Sequence, residues 1–205
     1  MNRVVSSSIY IHTTPDMEPG LEQNESALVC AARDGDKRAL QELLRRNWNW
    51  LRALVYSVLS ERHDVEDVVQ EVCVRVIEKI ATLREPERFR SWLAVLAQRE
   101  ASRYRSRRRA SPPAIDEELL SARPDSRIEQ SVERLGRQEL CEKVMEAVGA
   151  IPEKYRQVFM LAYSDDLTYR QIAEILDLPL TTVQIRLVRA RRMIHDRVMS
   201  GSKVA

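Results

Sequence analysis

Apolar positions in this chain recur at three- and four-residue spacing, and the strict alternation of a half-buried strand is hard to find. Val65, Val68, Val69, Val72 and Val76 form one stripe, as on a helix with a single packed face. Glu66, Asp67 and Gln70 point away from that stripe, but so do Val74 and Ile77. Apolar residues on both sides imply either a second packed neighbour or a surface for a partner. Phe89, Trp92, Leu93, Leu96 and Ala97 anchor the start of another helix. Nearer the C-terminus, Ile172, Ala173, Ile175 and Leu176 give a short helix its buried side, and Val183, Leu187, Ala190 and Ile194 mark the packed face of the next. At about 100° per residue, Thr181, Ile185, Val188, Arg189 and Arg192 fall opposite that face. Thr182, Gln184 and Arg186 lie on its flanks.

The polar and turn-forming residues set the boundaries. Residues 1–24 contain Pro15, Pro19, Gly20 and several Ser and Thr, which predicts a flexible tail. Asp34-Gly35-Asp36 makes a turn between a short first helix and a longer second one. Asp64 is placed to cap a third helix running to about Ala81, and Thr82 to Arg90, with Pro86, is expected to be a loop. A fourth helix spans Ser91 to Arg108. Pro112, Pro113 and Pro124, with acidic residues between them, mark a linker over 110–125. A second helical domain over 126–199 then holds a long helix to about Val148, a helix opened by Pro152, and the final helix pair; 200–205 is a short tail. The expected fold is all-α: two small helical domains, 25–109 and 126–199, joined by a flexible linker.

The final pair has the local chemistry of a helix-turn-helix. Thr168 with Gln171 three residues later is a capping box, and Leu178-Pro179 stops the first helix. The outward face of the second helix offers arginines for phosphate or guanine, Thr and Gln for base edges, and Ile and Val for thymine methyls. A basic solvated helix in a small bundle would share the charge, but not the capped turn.

The formal net charge of +2 conceals an asymmetry. Six arginines lie between Arg99 and Arg109 against one acid, Glu100, and six acids lie between Glu61 and Glu78 against Arg62 and Arg75. Separate basic and acidic surfaces are expected, one for nucleic acid and one for a basic protein surface. No run of about 18 apolar residues exists, so no membrane span is expected, and the N-terminus lacks the pattern of a secretory signal. Cys30, Cys73 and Cys141 are widely spaced in apolar helical contexts, as expected of reduced core thiols in a cytoplasmic protein. No Cys–His spacing suggests a metal, and no cofactor is expected. His12, His63 and His195 stand apart, and no nucleophile constellation or phosphate loop is seen, so no catalytic residues are assigned.

Four segments taken together resemble bacterial sigma factors of the extracytoplasmic-function group of the sigma-70 family. They are Asp64-Val-Glu-Asp-Val-Val-Gln-Glu71; Phe89-Arg-Ser-Trp-Leu93 with its arginine-rich tail; Ile151-Pro-Glu-Lys-Tyr-Arg156; and Leu167-Thr-Tyr-Arg-Gln-Ile-Ala173 continuing through Arg186-Leu-Val-Arg-Ala-Arg-Arg192. The resemblance implies a non-enzymatic initiation factor whose first domain, region 2, docks on the clamp helices of the largest subunit of core RNA polymerase through Glu66, Asp67, Gln70, Glu71 and Val74. It implies minus-ten recognition and melting through Arg88, Phe89, Arg90, Trp92, Arg99, Arg103 and Arg107. It implies minus-thirty-five recognition by region 4 through Thr181, Thr182, Gln184, Ile185, Arg186, Val188, Arg189 and Arg192, with a further contact to the flap of the second-largest subunit. Control by an anti-sigma factor is a further implication.

The chain departs from the family pattern at several places. Thr181-Thr182 stand where Gly-Thr is frequent, Gln184 where a basic residue is common, and Ile185 where a small polar one is. Asp166 and Asp177 occupy frequent glycine positions, and Val74 and Ile77 replace bulkier residues. Two other readings are a stand-alone helix-turn-helix regulator and a sigma-like interaction adaptor. The first leaves the acidic helix and the basic loop-helix unexplained.

Overall fold

A computed structural model describes residues 19–110, 131–164 and 167–201, with side chains over 24–110, 140–164 and 167–200. Eight α-helices and two short 3₁₀ turns make up the described residues, with no strand among them. The first half holds α1 (Pro19–Arg33), α2 (Lys37–Leu59), α3 (Val65–Lys79), the 3₁₀ turns Ile80–Thr82 and Pro86–Arg88, and α4 (Phe89–Ala110). The second holds α5 (Ser131–Ala150), α6 (Glu153–Tyr163), α7 (Tyr169–Leu176) and α8 (Leu180–Gly201). The expected linker lies largely outside the described residues, as does Asp166. Helix α1 begins at Pro19, inside the stretch expected to be tail.

Local chemistry explains most boundaries. Gly35 adopts φ +96°, which favours glycine, and Asp36 caps α2 by accepting bonds from the backbone N–H of Arg38 at 2.8 Å and Ala39 at 3.2 Å. Asp64 behaves otherwise. It precedes α3 but makes no side-chain cap bond; its carboxylate instead accepts from the Tyr104 hydroxyl at 2.9 Å and from Arg108. Of the segment expected as a loop, Thr82 ends one 3₁₀ turn, 83–85 are irregular, Pro86, with no N–H to lose, opens a second 3₁₀ turn, and Phe89 and Arg90 already belong to α4.

Val65, Val68, Val69, Val72 and Val76 are all buried, and α3 packs through them against α2 and α4. Helix α1 is tied to α2 by a buried amide. The Asn47 side-chain amide donates to Leu43 O at 2.8 Å and to Glu25 at 3.1 Å, and its oxygen accepts from the Trp50 indole at 2.7 Å. The core is continuous across the two halves, running from Val29 through Ile194, with α2 against α6 and α4 against α7.

The cysteines differ from expectation. Cys30 and Cys141 are exposed and only Cys73 is half-buried, all three being free thiols. Apolar neighbours in sequence do not bury a side chain that falls on the outer arc of its helix.

Candidate nucleic-acid interface

The helix-turn-helix is built as its sequence dictates. The Thr168 hydroxyl accepts from Gln171 N at 3.2 Å, and Gln171 Oε1 accepts in return from Thr168 N at 2.8 Å. Asp177 ends α7 in the left-handed region at φ 51°, so the frequent glycine is replaced by a residue that tolerates the conformation. The bonds Leu178 N to Ala173 O at 2.9 Å and Asp177 N to Glu174 O at 3.3 Å close a Schellman turn. The Pro179 carbonyl then accepts from Thr182 N and Val183 N and starts α8.

On α8 the periodicity reading holds. Val183, Leu187, Ala190 and Ile194 are buried, whereas Thr181, Gln184, Ile185, Val188, Arg189 and Arg192 are exposed and Thr182 and Arg186 half-exposed. Ile185 and Val188 are 53% and 65% exposed, an apolar surface that the described residues leave uncovered. Arg189 hydrogen-bonds the Tyr155 hydroxyl, and this bond chiefly lowers that phenol's pKa. Its shaft is thereby steadied against α6. Arg192 is held only loosely, 3.9 Å from Asp196.

The second candidate surface is rearranged by packing. Phe89 is 1% exposed and belongs to the core, so the structure removes it from the expected minus-ten set. Its ring lies 6.0 Å from that of half-buried Trp92 and positions it. Arg90 is half-buried and lies 2.8 Å from Glu25, which ties the loop to α1. Arg88 pairs with neighbouring Glu85 and remains on the surface with Arg99.

The expected separation of acidic and basic surfaces is corrected outright, because α3 and α4 lie side by side and their charges pair. Arg107 of α4 donates to both Glu71 oxygens at 3.1 and 3.0 Å, and Arg75 of α3 lies 3.6 Å from buried Glu100 of α4, which also accepts from Arg103 of its own helix at 2.9 Å. Arg108 donates to Glu61 at 2.7 Å and to Asp64. His63, expected to stand apart, joins that group: its Nε2 is 2.7 Å from the Arg108 guanidinium. Glu61, His63 and Asp64 come close enough together to suggest a metal site, but the Arg108 guanidinium already supplies the cation among them.

The polymerase-facing candidates lie on one side of α3. Asp67 and Gln70 are exposed, Glu66 pairs with Arg52, and Glu71 is half-buried beneath Arg107. Val74 and Ile77 are 51% and 59% exposed, so the second apolar side of α3 is left uncovered by the described residues.

Two family models match in order along the chain: Sigma-70 region 2 over 43–111 and Sigma-70, region 4 over 141–194. The chain is a sigma factor of the extracytoplasmic-function group. Its relatives match nearly end to end. It is 29% identical over 182 residues to the ECF RNA polymerase sigma-E factor of Haemophilus influenzae, covering 85% of this chain and 95% of that one. It is 28% identical over 180 residues to the sigma-E factor of Escherichia coli strain K12, covering 85% and 94%.

Solved structures share the fold. CnrH in complex with the cytosolic domain of CnrY aligns with TM-score 0.60 at 23% identity, covering 86% of this chain and 97% of that one. The sigma factor RpoE in complex with the anti-sigma factor NepR from Bartonella quintana aligns with TM-score 0.50 at 17% identity, covering 88% and 97%. Region 2 of this sigma factor is therefore α2 to α4, and region 4 runs from the last turns of α5 into α8. Sigma factors are not enzymes, in keeping with the lack of a catalytic constellation in the sequence.

Sequence reasoning missed three features. They are the Glu25–Asn47–Trp50 tie, the Arg108 cluster and the burial of Arg156, which is 6% exposed where the two halves meet. Each joins residues distant in sequence, and no local spacing announces it.

Proposed function

We propose that this sigma factor binds core RNA polymerase, reads minus-ten and minus-thirty-five promoter elements, and helps open the duplex while polymerase performs the chemistry. The observation that carries the reading is α8: a capped, buried-faced helix whose outward side presents Thr181, Gln184, Ile185, Val188, Arg189 and Arg192 together. Region 4 reads the upstream element with this face and touches the flap of the second-largest subunit. Region 2 docks on the clamp helices of the largest subunit with Asp67, Gln70, Val74 and the paired Glu66 and Glu71. Trp92, with Arg88, Arg99, Arg103 and Arg107, meets the opening strand, where stacking and phosphate attraction combine. Ile185 and Gln184 give the upstream element an atypical sequence, since an apolar side chain favours a thymine methyl where a small polar one would accept other bases.

An anti-sigma factor controls the chain under this reading. The RpoE relative in fold is solved with one, NepR, and CnrH is solved with the cytosolic domain of CnrY. No described helix is long and apolar enough to cross a membrane. Action on core polymerase places the chain in the cytoplasm. A stand-alone regulator would leave the region 2 match without a role. The test is a division of labour. Asp67→Ala with Gln70→Ala lowers affinity for core polymerase and spares binding of an upstream-element duplex by the isolated chain. Equal loss of both activities would refute the assignment.

A further inference from the structure

A line of polar contacts runs from the core of region 2 to the minus-ten loop. The buried Trp50 indole donates to Asn47 Oδ1 at 2.7 Å. The buried Asn47 amide is fixed in turn by Leu43 O and donates to Glu25 Oε1 at 3.1 Å. Glu25 Oε2 lies 2.8 Å from Arg90 Nε, a nitrogen sealed from solvent. The Glu25 side chain is 13% exposed and that of Arg90 22%. Each charge is mostly withdrawn from water, so removing one leaves the other desolvated without a counter-charge.

This tie comes from outside the matched segment. Glu25 stands on α1, ahead of the region 2 match that begins at residue 43. Helix α1 packs against α2 and against both 3₁₀ turns of the loop. The loop's other polar ties are local: Thr82 Oγ1 to Lys79 O, Arg88 to Glu85, and Ser91 Oγ to Arg88 O each reach three residues. They shape the turns without fixing where the loop sits on the body. Leu83 and Phe89 anchor it by burial, but burial is not directional. The ion pair supplies the direction. With Arg90 turned towards α1, Trp92 is aimed about 200° away around α4, at about 100° per residue. Exposed Arg88 stands on the adjoining turn.

We propose that Glu25 is a positioning residue for minus-ten recognition: through Arg90 it holds the loop and the first turn of α4 so that Trp92 and Arg88 are in place before an unstacked base arrives. This rests on the region 2 reading above. A loop ordered in advance spends none of its binding energy on ordering itself. Without the Glu25 charge, the Arg90 guanidinium turns out towards water and carries the start of α4 with it.

Glu25→Gln tests this in the full-length chain with core polymerase, on a template library randomised across the minus-ten element behind one fixed upstream element. The change keeps the oxygen that accepts from Asn47 and removes the charge that faces Arg90. The readout is the transcript ratio between preferred minus-ten bases and their single-base variants. That ratio is expected to fall about fivefold, the lower end of what one mismatched base is worth, with core affinity and upstream-duplex binding unchanged. Arg90→Gln should lower it as well, and adding Glu25→Gln to that variant should lower it no further, because the two side chains act as one unit. An unchanged ratio in Glu25→Gln overturns the proposal. So does an equal loss from every template, the mark of general structural damage, and so does a double variant in which the two losses add. Trp92→Ala tells this failure from that of the region 2 reading. If it too leaves the ratio intact, the minus-ten assignment itself falls; if it lowers the ratio while Glu25→Gln does not, the role of Glu25 alone falls.

Discussion

Replacing Arg189 and Arg192 with alanine isolates the electrostatic part of upstream-element binding. Both side chains are exposed, Arg192 to 86%, and alanine is the best helix former, so α8 and its buried face should persist. Each phosphate left without its arginine lowers the slope of log affinity against log salt by about 0.9, so two such phosphates lower it by about 1.8. On that slope the deficit of the double variant narrows roughly twelvefold between 50 mM and 200 mM salt. The assay is fluorescence anisotropy of a labelled upstream-element duplex titrated across that salt range, with circular dichroism on both proteins. Arg189 also holds the Tyr155 hydroxyl, so Arg192→Ala alone should show half the slope change while leaving the packing of α6 on α8 intact. A deficit constant across salt would show that these arginines do not engage phosphate and would refute the reasoning.

Other outcomes are expected from burial. Phe89→Ala should destabilise the chain by about 3–5 kcal/mol, as measured by urea unfolding, because the ring is fully enclosed; a loss under about 1 kcal/mol would return Phe89 to the surface. Thr168→Ala should cost about 1 kcal/mol through loss of the capping box, also read by urea unfolding. Cys30 and Cys141 should react with iodoacetamide well before Cys73. Burial raises the Cys73 thiol pKa, so its reactive thiolate appears only at higher pH, and rate against pH read by mass spectrometry should show its curve displaced upward.

How much of this was legible in the sequence depended on range. Helix faces were readable because a 3.6-residue period is a local property: the valine stripe of α3 and the buried set of α8 are where the spacing put them. The capping box of α7 needed only four residues. The charged surfaces were misjudged for the opposite reason. Counting acids along α3 and arginines along α4 cannot show that the two helices lie side by side, so Glu71 meets Arg107 and Asp64 meets Arg108. Asp64 looked like a cap because of where it stands, yet Tyr104, forty residues on, takes its carboxylate. Phe89 and Trp92 were a pair in sequence, and only packing decides which of them is core and which is half-exposed. No local pattern marks Arg156 for burial, which depends on α2.

The most direct test adds the purified chain to bacterial core polymerase with a promoter library and sequences the 5′ ends of the transcripts. A sigma factor of this design yields RNA from a defined set of start sites that share minus-ten and minus-thirty-five elements and that core polymerase alone does not use. Absence of core binding together with no start-site-specific RNA would contradict it.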